Sequence, residues 1–189
     1  MLHENQRVTL TKKMLSDGLL RILTSKSLDK VSISELCRES EINRATFYRH
    51  FETPRDVLHS LQFDFANKIN RAFEKKHTLE STEKYLENLC SYLHENAELL
   101  KTFLKNNIED EISRALGSLF GRILSDKNNG NSVSTLHSVY ASGGGYSLLR
   151  HWLLEEEKRT PKEMSEIILK FFQQEPLSPF DIQQGGIQT

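Results

Sequence analysis

Cysteine is scarce in this chain of 189 residues: Cys37 and Cys90 are the only two, lie far apart, and fit neither a zinc nor a disulfide framework. Reduced thiols in a cytosolic protein are the expected state. Long hydrophobic runs are also missing, and none approaches the roughly 20 residues that a membrane span needs. The N-terminal MLHENQRVTL lacks the apolar core of a signal peptide, so a cytoplasmic protein with no membrane partner is expected. Net charge is nearly absent, −1 at neutral pH, which excludes a general polycation. Only four prolines and nine glycines interrupt the chain, and no stretch alternates strictly enough to read as a strand. There is no nucleophile–base pair, no paired carboxylates and no phosphate loop; Gly143-Gly-Gly145 lacks the lysine and flanking pattern of one. An enzyme is therefore not expected, and neither is a cofactor. Cys90 and His94 stand at the i,i+4 spacing that can hold a metal, but no second pair lies nearby in sequence, so no metal site is assigned.

What is present is helical periodicity. Apolar residues form 37% of the chain and charged residues 27%, the balance of a globular protein with a real core. About nine helices are expected. The first starts near Thr9 or Thr11 and runs to about Ser25, with Leu15, Leu19, Ile22 and Leu23 on one face. Ser32-Ile-Ser-Glu35 is a capping box opening a second, short helix to about Ser40. After the turn Glu41-Ile42, Asn43 caps a third helix, Arg44 to His50. Thr53 caps a fourth, about 54–75, with Pro54 where its missing N–H does no harm. Later helices are expected at about 82–95, 97–106, 109–126, 133–157 and 161–174, the last opened by Thr160-Pro-Lys-Glu163. Glycine inside the helix at 143–145 is read as close helix packing in preference to ligand contact.

The second and third helices form a helix-turn-helix, whose demands are met residue by residue. Ile33, Leu36 and Cys37 supply an inward apolar set, Ile42 plugs the turn, and Phe47 with Phe51 anchors the third helix. Asn43, Arg44, Thr46, Tyr48 and Arg49 give it an exposed face of donors. Residues 1–60 carry ten Lys+Arg against eight Asp+Glu, leaving fifteen against eighteen for the rest, a mild basic bias suited to a phosphate-facing module. The stretch Val31-Ser-Ile-Ser-Glu-Leu-Cys-Arg-Glu-Ser-Glu-Ile-Asn-Arg-Ala-Thr-Phe-Tyr-Arg-His-Phe51 resembles the DNA-binding signature of the TetR/AcrR family of transcriptional regulators, most of all in Thr46-Phe-Tyr-x-His-Phe51. The resemblance covers about residues 8–62.

That resemblance implies an all-α protein: a three-helix helix-turn-helix domain at 1–55, a ligand-binding and dimerisation domain at 56–174, and a tail at 175–189. It implies double-stranded operator DNA as partner, with Ser32, Asn43, Arg44, Ala45, Thr46, Tyr48, Arg49, His50 and Arg55 at the interface. Arg44 would fork onto a guanine edge and Thr46 line the groove, while Tyr48 and His50 would hold phosphates. Two positions depart from the family pattern. Glu41 stands where the turn often has glycine, so the backbone there is expected to carry a side chain in the left-handed region at some cost, and Pro54 stands where lysine is common, with Arg55 or the helix end as the substitute contact. The implied function is a homodimeric repressor released from a palindromic operator by a small apolar effector. Tyr85, Tyr92, His94, Phe103, His137, Tyr140 and Trp152 are the candidate pocket residues. The alternative is a DNA-binding regulator controlled by a partner protein, or by no effector. Broad apolar stripes at Leu148, Leu149, Trp152 and Leu153, and at Ile167, Ile168, Phe171 and Phe172, point to the last two helices as the dimer face.

Overall fold

Each capping signal named above opens a helix in the computed structural model, which describes residues 2–74, 80–125, 132–155 and 159–173. Among those residues there are nine α-helices, one 3-10 turn (Leu28–Lys30) and no strand. The helices are α1 Leu2–Leu23, α2 Ile33–Glu39, α3 Arg44–Tyr48, α4 Pro54–Phe73, α5 Thr82–Glu95, α6 Ala97–Lys105, α7 Asp110–Ser125, α8 Ser132–Leu154 and α9 Pro161–Gln173. At α4 the box is reciprocal. Thr53 Oγ1 accepts from the Asp56 amide at 3.3 Å, and Asp56 Oδ2 accepts from the Thr53 amide at 2.7 Å. Thr160 and Glu163 repeat it at α9, where the Thr160 amide holds the Glu163 carboxyl below its ordinary range. Ser81 caps α5 by accepting from the Lys84 amide.

Three bounds differ from expectation. Helix α1 begins at Leu2 instead of near Thr9, because nothing ahead of Thr9 is a proline or glycine that would stop the helix extending backwards. It also ends at Leu23, since the Thr24 and Ser25 hydroxyls turn back to donate to the Arg21 and Ile22 carbonyls. Helix α3 stops at Tyr48, where the amides of His50 and Phe51 both donate to the Phe47 carbonyl and close the turn.

The described residues form two compact units that are not consecutive in the chain. One takes the residues up to Ile69 together with Ala97–Ile112; the other takes Asn70–Asn96 and the residues from Ser113 onward. In the first, Leu15, Leu19, Leu36, Phe47 and Leu58 are fully buried, and α6 adds Leu100 and Phe103. Helix α1 crosses α2 at Gly18, where a Cβ would lie 2.3 Å from the Ser40 hydroxyl, so only glycine admits this approach.

In the second unit α9 lies along α5 and also touches α8. Leu86, Leu89 and Leu93 of α5 and Met164, Ile168 and Phe172 of α9 are buried there. Phe120 meets Phe172 edge-on at 5.2 Å. A Cβ on Gly145 would stand 2.8 Å from the Phe120 ring and 3.3 Å from Phe172, so this glycine serves helix packing as expected. Gly143 and Gly144 face open space. Helix α8 has its apolar residues all round instead of along one stripe. Trp152 and Leu149 turn inward while Val139 and Tyr140 stay exposed.

Candidate nucleic-acid interface

The helix-turn-helix is assembled from short-range bonds. Ser32 Oγ accepts from the Glu35 amide at 3.2 Å, starting α2. The Glu35 carboxyl is held below its ordinary range, chiefly because Lys26 Nζ donates to both of its oxygens, at 2.8 and 2.9 Å. Arg21 donates to the Glu39 carboxylate at 2.6 Å and to its carbonyl at 2.8 Å, gripping the far end of the same helix. Leu36 and Cys37 point inward, and burial pushes the Cys37 thiol up.

The turn is a Schellman motif. The Ile42 amide donates to the Cys37 carbonyl and the Glu41 amide to the Arg38 carbonyl. That geometry places Glu41 in the left-handed region, at φ 56°, as its departure from the family's glycine led us to expect. Glu41→Gly is accordingly expected to raise stability by roughly 0.5–1 kcal/mol, glycine meeting no Cβ penalty there. A denaturant midpoint unchanged or lowered would show that the side chain is otherwise rewarded.

Asn43 Oδ1 then accepts from the Thr46 amide at 2.8 Å and opens α3. Phe47 is fully buried below it, 6.2 Å from Phe51, with Lys12 Nζ 5.9 Å from the Phe51 ring. With Phe47 turned down, the rest of α3 turns up. Asn43, Arg44, Ala45, Tyr48 and Arg49 are exposed with Ser32, and Thr46 and His50 are half-buried beside them. Arg44 Nη1 donates to Ser34 Oγ at 3.2 Å and Nη2 to the Tyr48 hydroxyl at 3.3 Å. The Tyr48 contact raises the Arg44 pKa further above its already high value. Ser34 was not legible as a member of this face, because its tie to Arg44 spans the turn and leaves no local spacing signal. Arg55 is also exposed, but its guanidinium is engaged with Asp29 and with the Asn106 carbonyl. The face is a row of donors on a short helix, with no acid between Asn43 and His50, which suits base edges and phosphates.

The pocket candidates are dispersed. Phe103 belongs to the first unit and packs 6.2 Å from Phe65. In the second unit, Tyr85 and Tyr92 both meet Phe73 edge-on, at 5.8 and 5.6 Å. Burial pushes the Tyr85 phenol up to about 12, opposed by Arg122. Trp152 is buried, stacks on the exposed His94 at 5.7 Å and donates Nε1–H to the Arg159 carbonyl at 2.8 Å. Cys90 is fully buried, with its thiol pushed up to about 12 by desolvation. Tyr140 is 75% exposed and lines a groove of about 330 Å³ between α8 and α9 with Gly144, Leu148, His151 and Phe171. The His137 side chain lies outside the described residues.

Residues 80–174 match a TetR-type family described as transcriptional regulator C-terminal region. Among curated proteins none matches the chain. Among solved structures the chain is similar to a TetR transcriptional regulator from Streptococcus agalactiae, at 16% identity and a TM-score of 0.70 over 92% of this chain and 99% of that one. It is also similar to a structure described as a TetR-family transcriptional regulator from Syntrophomonas wolfei, at 20% identity and a TM-score of 0.65, covering 86% and 92%. A third is the dihydroxyacetone kinase operon activator DhaS, at 17% identity and a TM-score of 0.61, covering 86% and 93%. At these identities the likeness is one of fold.

Proposed function

The chain belongs to the TetR family of transcriptional regulators, and from that premise we propose that it binds a palindromic operator as a homodimer and represses the genes beside it. One observation carries this reading: a buried Phe47 anchor turns Arg44 and Tyr48 outward on α3, beside the exposed cap Asn43 and the half-buried Thr46. Two such helices, one per protomer, would enter successive major grooves about 34–36 Å apart.

In this reading a small apolar effector binds the C-terminal half and favours a conformation with a different spacing of the recognition helices. A second reading has a specific observation behind it. Tyr85 and Trp152 are engaged in packing at 1% and 3% exposure, which favours control by a partner protein or by none. A thermal-shift screen with apolar and aromatic compounds separates the two, an upward shift supporting the effector.

The DNA-binding reading is tested by selecting duplexes from a random pool and from the region around the gene's own start, where an inverted repeat is expected. Arg44→Ala should weaken binding by roughly 1–3 kcal/mol and relax preference at one or two base pairs. Tyr48→Phe should weaken all sequences alike, since phosphates carry no sequence information. Because the Tyr48 hydroxyl accepts from Arg44, the two effects should also be less than additive. An Arg44→Ala protein as tight and selective as wild type would remove Arg44 from the base-reading role.

A further inference from the structure

The first compact unit contains a stretch that sequence order assigns elsewhere: residues 97–112, α6 and the turn after it. Leu100, Phe103, Leu104 and Ile108 are buried there. The turn is a second Schellman motif, with the Ile108 amide donating to the Phe103 carbonyl, the Asn107 amide to Leu104, and Asn107 at φ 52°. This fixes the position of Asn106, whose side-chain amide donates to the Thr102 carbonyl at 2.8 Å. Its Oδ1 accepts from the Leu28 amide at 3.4 Å, and its carbonyl accepts from Arg55 Nη1 at 3.5 Å. The other arm of Arg55 donates to Asp29 Oδ1 at 3.1 Å.

Leu28 and Asp29 lie in the 3-10 turn just ahead of α2, and Arg55 is the second residue of α4, the helix that follows α3. The two ends of the motif are thereby tied to each other and to α6. We infer that Arg55 is a positioning residue and not a phosphate ligand: with Asp29 and Asn106 it forms a clasp that sets how α3 is presented to DNA. A forked guanidinium is needed, because one group must reach a carboxylate and a carbonyl at once; a lysine ammonium on its single stem does not span both. The ties are long or exposed, with Asp29 83% and Arg55 44% exposed, so each contributes little alone and the clasp acts by geometry.

This inference rests on the operator-binding reading, and its test is arranged to separate the two. In operator titrations over a range of salt, Arg55→Ala and Asn106→Ala should each weaken binding about three- to tenfold, with the double variant little worse than the stronger single one. The salt slope should stay at the wild-type value, and Arg55→Lys should behave like Arg55→Ala. A phosphate contact gives the opposite pattern: a slope reduced by about 0.9 in Arg55→Ala, near-wild-type binding by Arg55→Lys, and additivity with Asn106→Ala. That pattern would overturn the clasp. The second measurement needs no DNA. Hydrogen exchange at the Leu28 amide should quicken several-fold in both alanine variants, and an unchanged rate in either would equally overturn it. Failure of the wild-type chain to bind any duplex, with quickened exchange retained, would count against the operator reading alone.

Discussion

Replacing Phe47 by alanine is expected to remove about 3–5 kcal/mol of stability from the unit that carries the helix-turn-helix, and operator binding with it. Phe47 is among the largest fully buried side chains, meeting Tyr48 edge-on at 5.5 Å and lying 6.2 Å from Phe51. Alanine would forfeit those contacts and leave a cavity under α3. A helix of five residues has no independent stability, since nucleation alone is unfavourable by about three orders of magnitude. The conformation that exposes Arg44 and Tyr48 therefore depends on the anchor. Phe47→Leu should lie between the two proteins. Denaturant unfolding followed by circular dichroism, with operator binding measured alongside, checks this. A loss below about 1 kcal/mol with binding intact would mean that α3 is held by something other than its anchor.

The second large effect is expected at the exposed face of α8 and α9. Tyr140, Val139 and Phe171 are 75%, 67% and 47% exposed, and the groove between Tyr140 and Phe171 is otherwise lined by alanine, glycine, serine, leucine and histidine, with Phe172 at its base. A contiguous apolar face of this kind is characteristic of an association surface. A twofold axis would bring the same patch from both protomers together, so each added charge is met twice. Tyr140→Glu with Phe171→Glu should give a folded monomer whose operator affinity falls by about two orders of magnitude or more, because like charges facing each other cost several kcal/mol. Light scattering and a thermal melt check assembly and folding separately. A variant that stays dimeric and binds normally would move the interface elsewhere. Deleting α9 is not an equivalent test. The stripe read from the sequence as one dimer face is divided in the structure. Ile168 and Phe172 are core against the same protomer, Ile167 is half-buried, and only Phe171 stays outside.

The helices and the helix-turn-helix are legible in the residue order, because the signals that set them act within four residues of where they stand. Ser32, Asn43, Thr53 and Thr160 each cap the helix they announce, and Phe47 lies inward on the helix whose donors lie outward. Even the awkward turn was legible: a glutamate where glycine is usual requires a left-handed residue, and Glu41 has one. Tertiary structure alone decided what those elements touch. Nothing local to Asn106 says that it meets Leu28 and Arg55, and nothing local to Arg55 says that its fork is engaged by Asp29. The aromatic residues of the middle helices carried the same ambiguity. Periodicity shows that Tyr85, Phe103 and Trp152 face inward, but an inward face is equally a core or a cavity wall. Only the rings brought beside them from other helices make the difference, Phe73 for Tyr85, Phe65 for Phe103 and His94 for Trp152.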